Sequence, residues 1–339
     1  MGDTLHDPIP DLTGKVAIVT GGHTGLGFGT SIELAKHGAR VYIASRSAAK
    51  FNDAEREIRL ECPEAQVRFI LLDLADLSSV QAAAERFSHT YSLQIMCIPY
   101  EETKQGFELQ IGVGRPACNG FLFLAAVIAK KKKVNYIGHF LFTELLIPIL
   151  QRTAERAERG SVRVVNVSSD GHAKLAPKEG IIFSDMNMKD GFSVWARYGH
   201  SKLANVLHSK ALAKRFPSIL SLSLHPGTVK TYAAVSFPVQ RFTSTNLTIL
   251  RNLSAGPISS TPLYRLIKPL VELGAPGPRK GAANILFAAV SSRLRLESDN
   301  GAYLLPIGRV SAPSKAASDL EMAEELWKWT TKTLRSRGY

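Results

Sequence analysis

A chain of 339 residues with 45% apolar side chains has the material for one substantial core, and 42 basic against 29 acidic residues leave it at +13. The basic residues are scattered and lack the aromatic–basic interleaving that stacks bases, so nucleic acid is not an expected partner. Three cysteines, Cys62, Cys97 and Cys118, have no metal-ligand spacing, which excludes a disulfide framework and leaves no metal site to expect. Residues 1–10 have neither the basic start and apolar core of a secretory signal nor a myristoylation pattern, so the cytosol is the expected location.

The first readable element is an apolar strand over 15–20, which runs into Gly21-Gly22-His23-Thr24-Gly25-Leu26-Gly27 and then a helix over 30–37. A strand feeding a glycine-rich turn and a helix is a phosphate cradle. Gly21, Gly25 and Gly27 let backbone approach a pyrophosphate, and the helix N-terminus faces its negative charge. The next strand, 40–44, ends in Ser45-Arg46, where an NAD-binding chain tends to carry an acidic residue for the ribose hydroxyls. A guanidinium there suits a 2′-phosphate, so NADP(H) is the expected cofactor, with Lys50 as an additional contact. Strand and helix patterns alternate through the first two thirds of the chain. They predict an α/β fold, a Rossmann-type doubly wound parallel sheet forming a single domain over 1–339.

Further along, a strand over 163–167 leads to Ser168 and Ser169, and Tyr198 and Lys202 stand four apart in a stretch that reads as helix. One turn puts their side chains on the same face. A phenol titrates at about 10 and exchanges protons poorly near neutrality unless a close cation stabilises the phenolate. Lys202 would supply that cation.

Taken in chain order, several motifs resemble the short-chain dehydrogenase/reductase family, and within it the retinol-dehydrogenase-like branch. They are Thr20-Gly21 with Gly25 and Gly27, Asp73-Leu74, Asn135-Tyr136 with Gly138-His139-Phe140, and Val165-Asn166-Val167-Ser168-Ser169. Tyr198 with Lys202 and His225-Pro226-Gly227-Thr228-Val229-Lys230-Thr231 complete the series. The resemblance implies a catalytic set of Asn135, Ser169, Tyr198 and Lys202. In it Tyr198 exchanges a proton with the substrate oxygen, Ser169 hydrogen-bonds the developing alkoxide, and Lys202 lowers the tyrosine pKa and holds the nicotinamide ribose. Asn135 anchors a water that links Lys202 to solvent. The resemblance also implies cofactor contacts at Gly21, His23, Thr24, Gly25, Leu26, Gly27, Ser45, Arg46, Asp73, Leu74, Tyr198, Lys202, Pro226, Gly227, Val229 and Thr231. Among these, Asp73 would meet the adenine and Thr231 the nicotinamide carboxamide. Ser168 reads as structural, and His172, His200 and His225 as turn and packing residues.

Two departures from that pattern lie between Tyr91 and Asn135. The family's Asn-Asn-Ala-Gly element is absent after Ile95, and Pro99 cannot donate to a ladder, so most of a central strand is expected to be missing. In addition, 113–133 interrupts what would otherwise be one helix running from 107–112 into 134–138. This insertion holds Pro116, an apolar run over 121–129 and four lysines at 130–133. Its removal rejoins Gly112 to Val134 in frame and reads as translated intron sequence. A mis-spliced or catalytically impaired Rossmann-fold product is therefore the alternative to an active enzyme. At face value the apolar run falls short of the ~20 residues that span a bilayer, so a peripheral membrane contact is the most it supports.

Substrate choice is expected in a lid over about 232–278, which mixes Phe237, Phe242, Leu247, Ile249, Leu250, Leu263 and Tyr264 with Ser, Thr and Pro. An apolar lid suits a small lipophilic or aromatic ketone or aldehyde and its alcohol. Association into a homo-oligomer is open.

Overall fold

The structure is a computed structural model that describes residues 8–92, 122–126, 136–189, 191–227 and 281–339. Eight strands form one sheet in the order β3-β2-β1-β4-β5-β6-β7-β8. They are β1 (Val16–Thr20), β2 (Arg40–Ser45), β3 (Val67–Leu71), β4 (Leu122–Ala126), β5 (Arg163–Val167), β6 (Leu220–Leu224), β7 (Tyr303–Leu305) and β8 (Arg309–Ser311). All pairings are parallel except the last, where β8 returns antiparallel on β7. The order reverses between β1 and β4, and in such sheets the crevice at the carboxyl ends of those strands is where ligands bind.

Alternation along the strands sends side chains to two layers. Val16 and Ile18 of β1 and Val164 of β5 join a core with Phe140, Phe142, Leu203 and Leu326. The intervening Ala17, Val19, Val165 and Val167 join the opposite core with Leu26, Ile32, Phe51, Ile58 and Ile285. On the first face lie α3 (Leu77–Ser92), α4 (Ile137–Ala154), α6 (Val194–Arg215) and α10 (Leu320–Arg335); on the second lie α1 (Gly25–Lys36), α2 (Ala48–Glu61) and α7 (Ala283–Val290). Short helices α5 (Gly171–Lys174), α8 (Leu296–Asp299) and α9 (Lys315–Ser318) sit in the connections. Caps set the longer starts. Ser47 accepts from the Lys50 N–H at α2, Ser193 from the Ala196 N–H at α6, and Asp319 from two N–H groups at α10. The single sheet with one helix layer per face is the Rossmann-type α/β fold expected from the alternating pattern.

The expectation of a missing central strand is corrected. Leu122–Ala126, from inside the apparent insertion, forms β4, pairing Val16 with Leu122 through Thr20 with Ala126 on one side and Phe123 with Arg163 through Ala126 with Asn166 on the other. A strand buried in a parallel sheet reads as an unbroken apolar run rather than an alternation, and such a run is ambiguous from periodicity alone. Neither β1 nor β5 is therefore left without a neighbour here. Beyond the interruption, α4 starts at Ile137. The rest of 113–133, Asn135, Val229, Thr231 and the lid over 232–278 lie outside the described residues.

A buried polar tie joins β5 to α7. Arg163, at the start of β5, is 6% exposed and donates to Gly160 O at 2.8 Å, Ala288 O at 3.1 Å and Ser291 O at 2.9 Å. Two of those carbonyls end α7, so the guanidinium caps that helix from beneath, while burial brings its pKa down to about 10.

Candidate active site

The glycine turn follows β1 directly. Gly21 (φ +66°) and Gly25 (φ +57°) take left-handed backbone that suits glycine, and the Gly21 N–H donates to Ala44 O at 2.8 Å, locking the turn to the end of β2. A Cβ on Gly27 would run into the Gly21 carbonyl, so only glycine allows α1 to start this close to the strand. Thr24 is the N-cap of α1 with extended backbone and no side-chain cap bond. Gly25, Leu26 and Gly27 make the first turn, whose N–H groups point out of the helix.

Beyond β2, Ser45 is buried and accepts from the Ser47 N–H at 3.3 Å, and Arg46 and Lys50 are exposed. His23 is pushed below its ordinary pKa by burial and then by the charges of Lys50 and Arg46, and its Nδ1 is buried without a partner. A glycine cradle beside positive charge and an orphaned ring nitrogen fits the phosphates of a dinucleotide. Asp73 and Leu74 follow β3 at the same sheet edge. Asp73 Oδ1 accepts from the Ala75 N–H at 3.0 Å, and the Leu74 carbonyl presses so closely on Gly138 of α4 that a Cβ there would clash.

The second half of the site gathers at the carboxyl end of β5. Ser168 is fully buried and donates to the Lys202 carbonyl at 2.7 Å, a structural bond as its reading implied. Ser169 donates to Asp170 Oδ1 at 3.0 Å and accepts from the Gly171 N–H at 3.1 Å. Gly171 lies between them: a Cβ there would stand 3.0 Å from Tyr198 Cε1 and 3.4 Å from Ser169 Oγ. Gly199 serves the same end from α6, because a Cβ at that position would strike the Leu175–Ala176 backbone.

Lys202 is 1% exposed, and its Nζ donates to Val167 O at 2.9 Å and stands 5.8 Å from the centre of the Tyr198 ring. Burial pushes its pKa down to about 7. The Tyr198 phenol lies above its ordinary pKa. Burial raises it, the Ser169 bond works against that rise, and the Asp170 charge adds to it.

Pro226 is buried after β6 and Gly227 (φ +88°) turns the chain against Pro306, so both lie at the same edge as Ser169. The structure thus brings Ser169, Tyr198 and Lys202 together, and places Gly21, His23, Thr24, Gly25, Leu26, Gly27, Ser45, Arg46, Asp73, Leu74, Pro226 and Gly227 on the carboxyl edge of the sheet. Sequence reasoning missed three supports. Asn205, one turn beyond Lys202, donates to the same Val167 carbonyl at 3.2 Å. Asp170 accepts a hydrogen bond from the Ser169 hydroxyl and is itself held by Lys174 at 2.7 Å. Asn284 donates to His225 O at 2.7 Å and accepts from the Gly308 N–H at 2.8 Å, fixing the turn before Pro226. Its signal was a lone amide in the apolar run of α7. Among the described residues no group of His, Cys, Asp and Glu could hold a metal, and no helix is long and apolar enough to cross a membrane.

Comparison with known proteins accords with this geometry. The short chain dehydrogenase family model matches residues 15–98. The chain is 38% identical to the short-chain dehydrogenase/reductase drtF of Aspergillus calidoustus, over 99% of each chain. It is 33% identical to human (Homo sapiens) retinol dehydrogenase 12 over 96% of this chain and 88% of that one. Among solved structures, a putative uncharacterized protein from Mycobacterium Paratuberculosis superposes with a TM-score of 0.59 at 26% identity, covering 98% of this chain and 97% of that one. The chain belongs to the short-chain dehydrogenase/reductase family of oxidoreductases, in its retinol-dehydrogenase-like branch.

Proposed function

We propose that this protein is an NADP(H)-dependent oxidoreductase that interconverts a lipophilic or aromatic ketone or aldehyde and its alcohol, with Tyr198 as the general acid and base. The observation that carries the reading is the meeting of Ser169 and Tyr198 on either side of Gly171, with a buried Lys202 5.8 Å from the tyrosine ring, on the sheet edge that also holds the glycine cradle. When bound, NADP(H) supplies or accepts the hydride. Gly21, Gly25, Leu26 and Gly27 would hold its pyrophosphate through backbone, Arg46 with His23, Ser45 and Lys50 its 2′-phosphate, and Asp73 and Leu74 its adenine. Pro226, Gly227, Val229 and Thr231 would flank the nicotinamide, as the family resemblance implies.

In the reductive direction Tyr198 Oη gives its proton to the substrate oxygen, and the phenol's raised pKa keeps that proton in place until charge develops. Ser169 Oγ–H turns from Asp170 to the same oxygen and stabilises its negative charge. Lys202, held near neutrality by burial, exchanges a proton at Nζ and supplies charge beneath the phenolate. Asn135 would relay that proton to solvent through a water. The name of the human relative, a retinol dehydrogenase, supports a lipophilic alcohol or aldehyde as substrate.

The test uses decanal, an aromatic ketone panel and NADPH with Tyr198→Phe. Turnover should fall ~10²–10⁴-fold, the usual contribution of a positioned acid, while the NADPH dissociation constant from fluorescence titration stays within about twofold. A variant that turns over as well as the wild type removes Tyr198 from the chemistry.

A further inference from the structure

His172 makes two hydrogen bonds whose partners leave no choice of tautomer. Its Nδ1 lies 2.7 Å from the Ser169 carbonyl oxygen, which can only accept, and its Nε2 lies 3.2 Å from the Ser314 backbone N–H, which can only donate. The ring must therefore be neutral with its proton on Nδ1. Burial, which pushes the pKa below the ordinary histidine value against the Ser169 carbonyl bond and the Asp170 charge, agrees with a neutral ring. The ring also packs edge-on against Tyr303 of β7, centroids 4.7 Å apart. The Ser169 carbonyl receives the His172 backbone N–H as well, at 3.1 Å. Two donors from one residue thus fix the peptide unit that carries the Ser169 side chain.

We infer that His172 is a positioning residue: its Nδ1–H holds the Ser169 carbonyl, and the Ser314 N–H at the entry to α9 selects the tautomer that can do so. The inference rests on the reading of Ser169 given above. It makes the C-terminal segment part of the active site without any residue of that segment touching substrate. The chain of contacts runs from the Ser314 N–H through the imidazole to the Ser169 peptide, whose Oγ lies beside Gly171 together with the Tyr198 ring.

Two replacements separate this role from packing. In His172→Asn the amide nitrogen falls near the lost Nδ1 and can still donate to Ser169 O, while the tie to Ser314 is broken. In His172→Gln the amide oxygen falls near the lost Nε2 and can still accept from Ser314, while the donor to Ser169 is gone. Both lose the contact with Tyr303, so packing alone predicts equal effects. With NADPH saturating and decanal as substrate, kcat per folded enzyme should fall at least ~10-fold in the Gln variant and stay within about threefold in the Asn variant. KM for decanal and NADPH affinity should change little in either. Equal kcat in the two variants overturns the inference.

If both variants fail to fold, Ser314→Pro tests the same chain from the other end. Ser314 has φ −59°, which proline adopts, so the substitution deletes the N–H with little backbone strain; it also removes the hydroxyl that caps α9 at the Ala317 N–H, a loss that Ser314→Ala, run beside it, reproduces with the N–H kept. Ser314→Pro should lower kcat at least threefold with unchanged NADPH binding, and unaltered kcat overturns the inference. Ser169→Ala is run alongside. If it turns over normally the reading of the site falls, and the inference with it; if it is inactive and the histidine pair is equal, only the role of His172 falls.

Discussion

The two halves of the site are built by different means. The glycine turn after β1 works through backbone, with left-handed glycines, an uncapped helix start and exposed Arg46 and Lys50 standing off at the end of β2. The carboxyl edge of β5 works through side chains removed from water, where Lys202, Ser168 and Asn205 are each almost fully buried and bonded to main-chain carbonyls or to each other's backbone. A backbone site asks little of the core around it. A site made of desolvated polar groups costs stability, because each charge placed there must be held against its preference for water. The second half should therefore trade stability against activity and the first should not.

Lys202→Met is the strongest way to break that contrast. Methionine has a similar length and no charge to desolvate, and Asn205 still serves the Val167 carbonyl. Turnover should fall ~10²–10⁴-fold for want of the proton exchanged at Nζ. Folding stability at pH 7 should hold or rise, by on the order of 1–4 kcal/mol, as replacement of buried charge by apolar volume often does. Urea melts alongside decanal reduction give both numbers. A variant that keeps its turnover and loses stability would show that the ammonium is a structural tie and nothing more.

Arg46→Ala probes the other half with a smaller effect. A charge-assisted bond to a 2′-phosphate is worth enough that NADPH should dissociate ~10–100-fold more readily, while NADH binding stays within about twofold. The melting temperature without nucleotide should not move, since Arg46 is exposed. Equal weakening of both nucleotides would place Arg46 at the pyrophosphate and blunt the case for NADP(H).

This contrast also explains what could be read before the fold was known. A backbone site leaves a mark in sequence because left-handed turns and close approaches exclude every side chain, so Gly21, Gly25 and Gly27 stand out by type and spacing. Tyr198 and Lys202 were legible because both lie on one helical face. Their environment was not, since burial of Lys202 depends on β5 and α6 closing over it, and the fall of its pKa with it. His172, Asn205 and Asn284 work through carbonyls of distant or neighbouring backbone, and a side chain's bond to a carbonyl carries no residue-type signal at the partner. β4 was misread for a related reason. Leu122–Ala126 carries no period to tell strand from helix, and a motif missing at 95 drew attention away from a strand supplied near 122.

The smallest effect separates the two faces of the sheet by pH. His208 on α6 is 2% exposed, with both ring nitrogens buried and unpartnered among the rings of Tyr136, Phe140 and Trp327, at 5.9, 5.1 and 5.9 Å. Burial, with His139 adding to it, lowers its pKa from 6.5 to about 3. The unfolded chain takes up this proton as pH drops below 6.5 and the folded chain does not until about 3, so the stability from keeping the ring neutral is complete above 6.5 and is lost as pH falls through that window. Between pH 7.5 and pH 5 the loss is about 2 kcal/mol, from 1.5 units at 1.36 kcal/mol each. In His208→Phe, which keeps an aromatic ring in the same cage, the difference in unfolding free energy between those two pH values should shrink by about that amount. The cofactor face has no caged ring of this kind among its described core residues, so Phe51→Leu there should leave the pH difference as it is in the wild type. If urea melts show the same acid loss with and without His208, the cage is open to water and the ring titrates as it would in the unfolded chain.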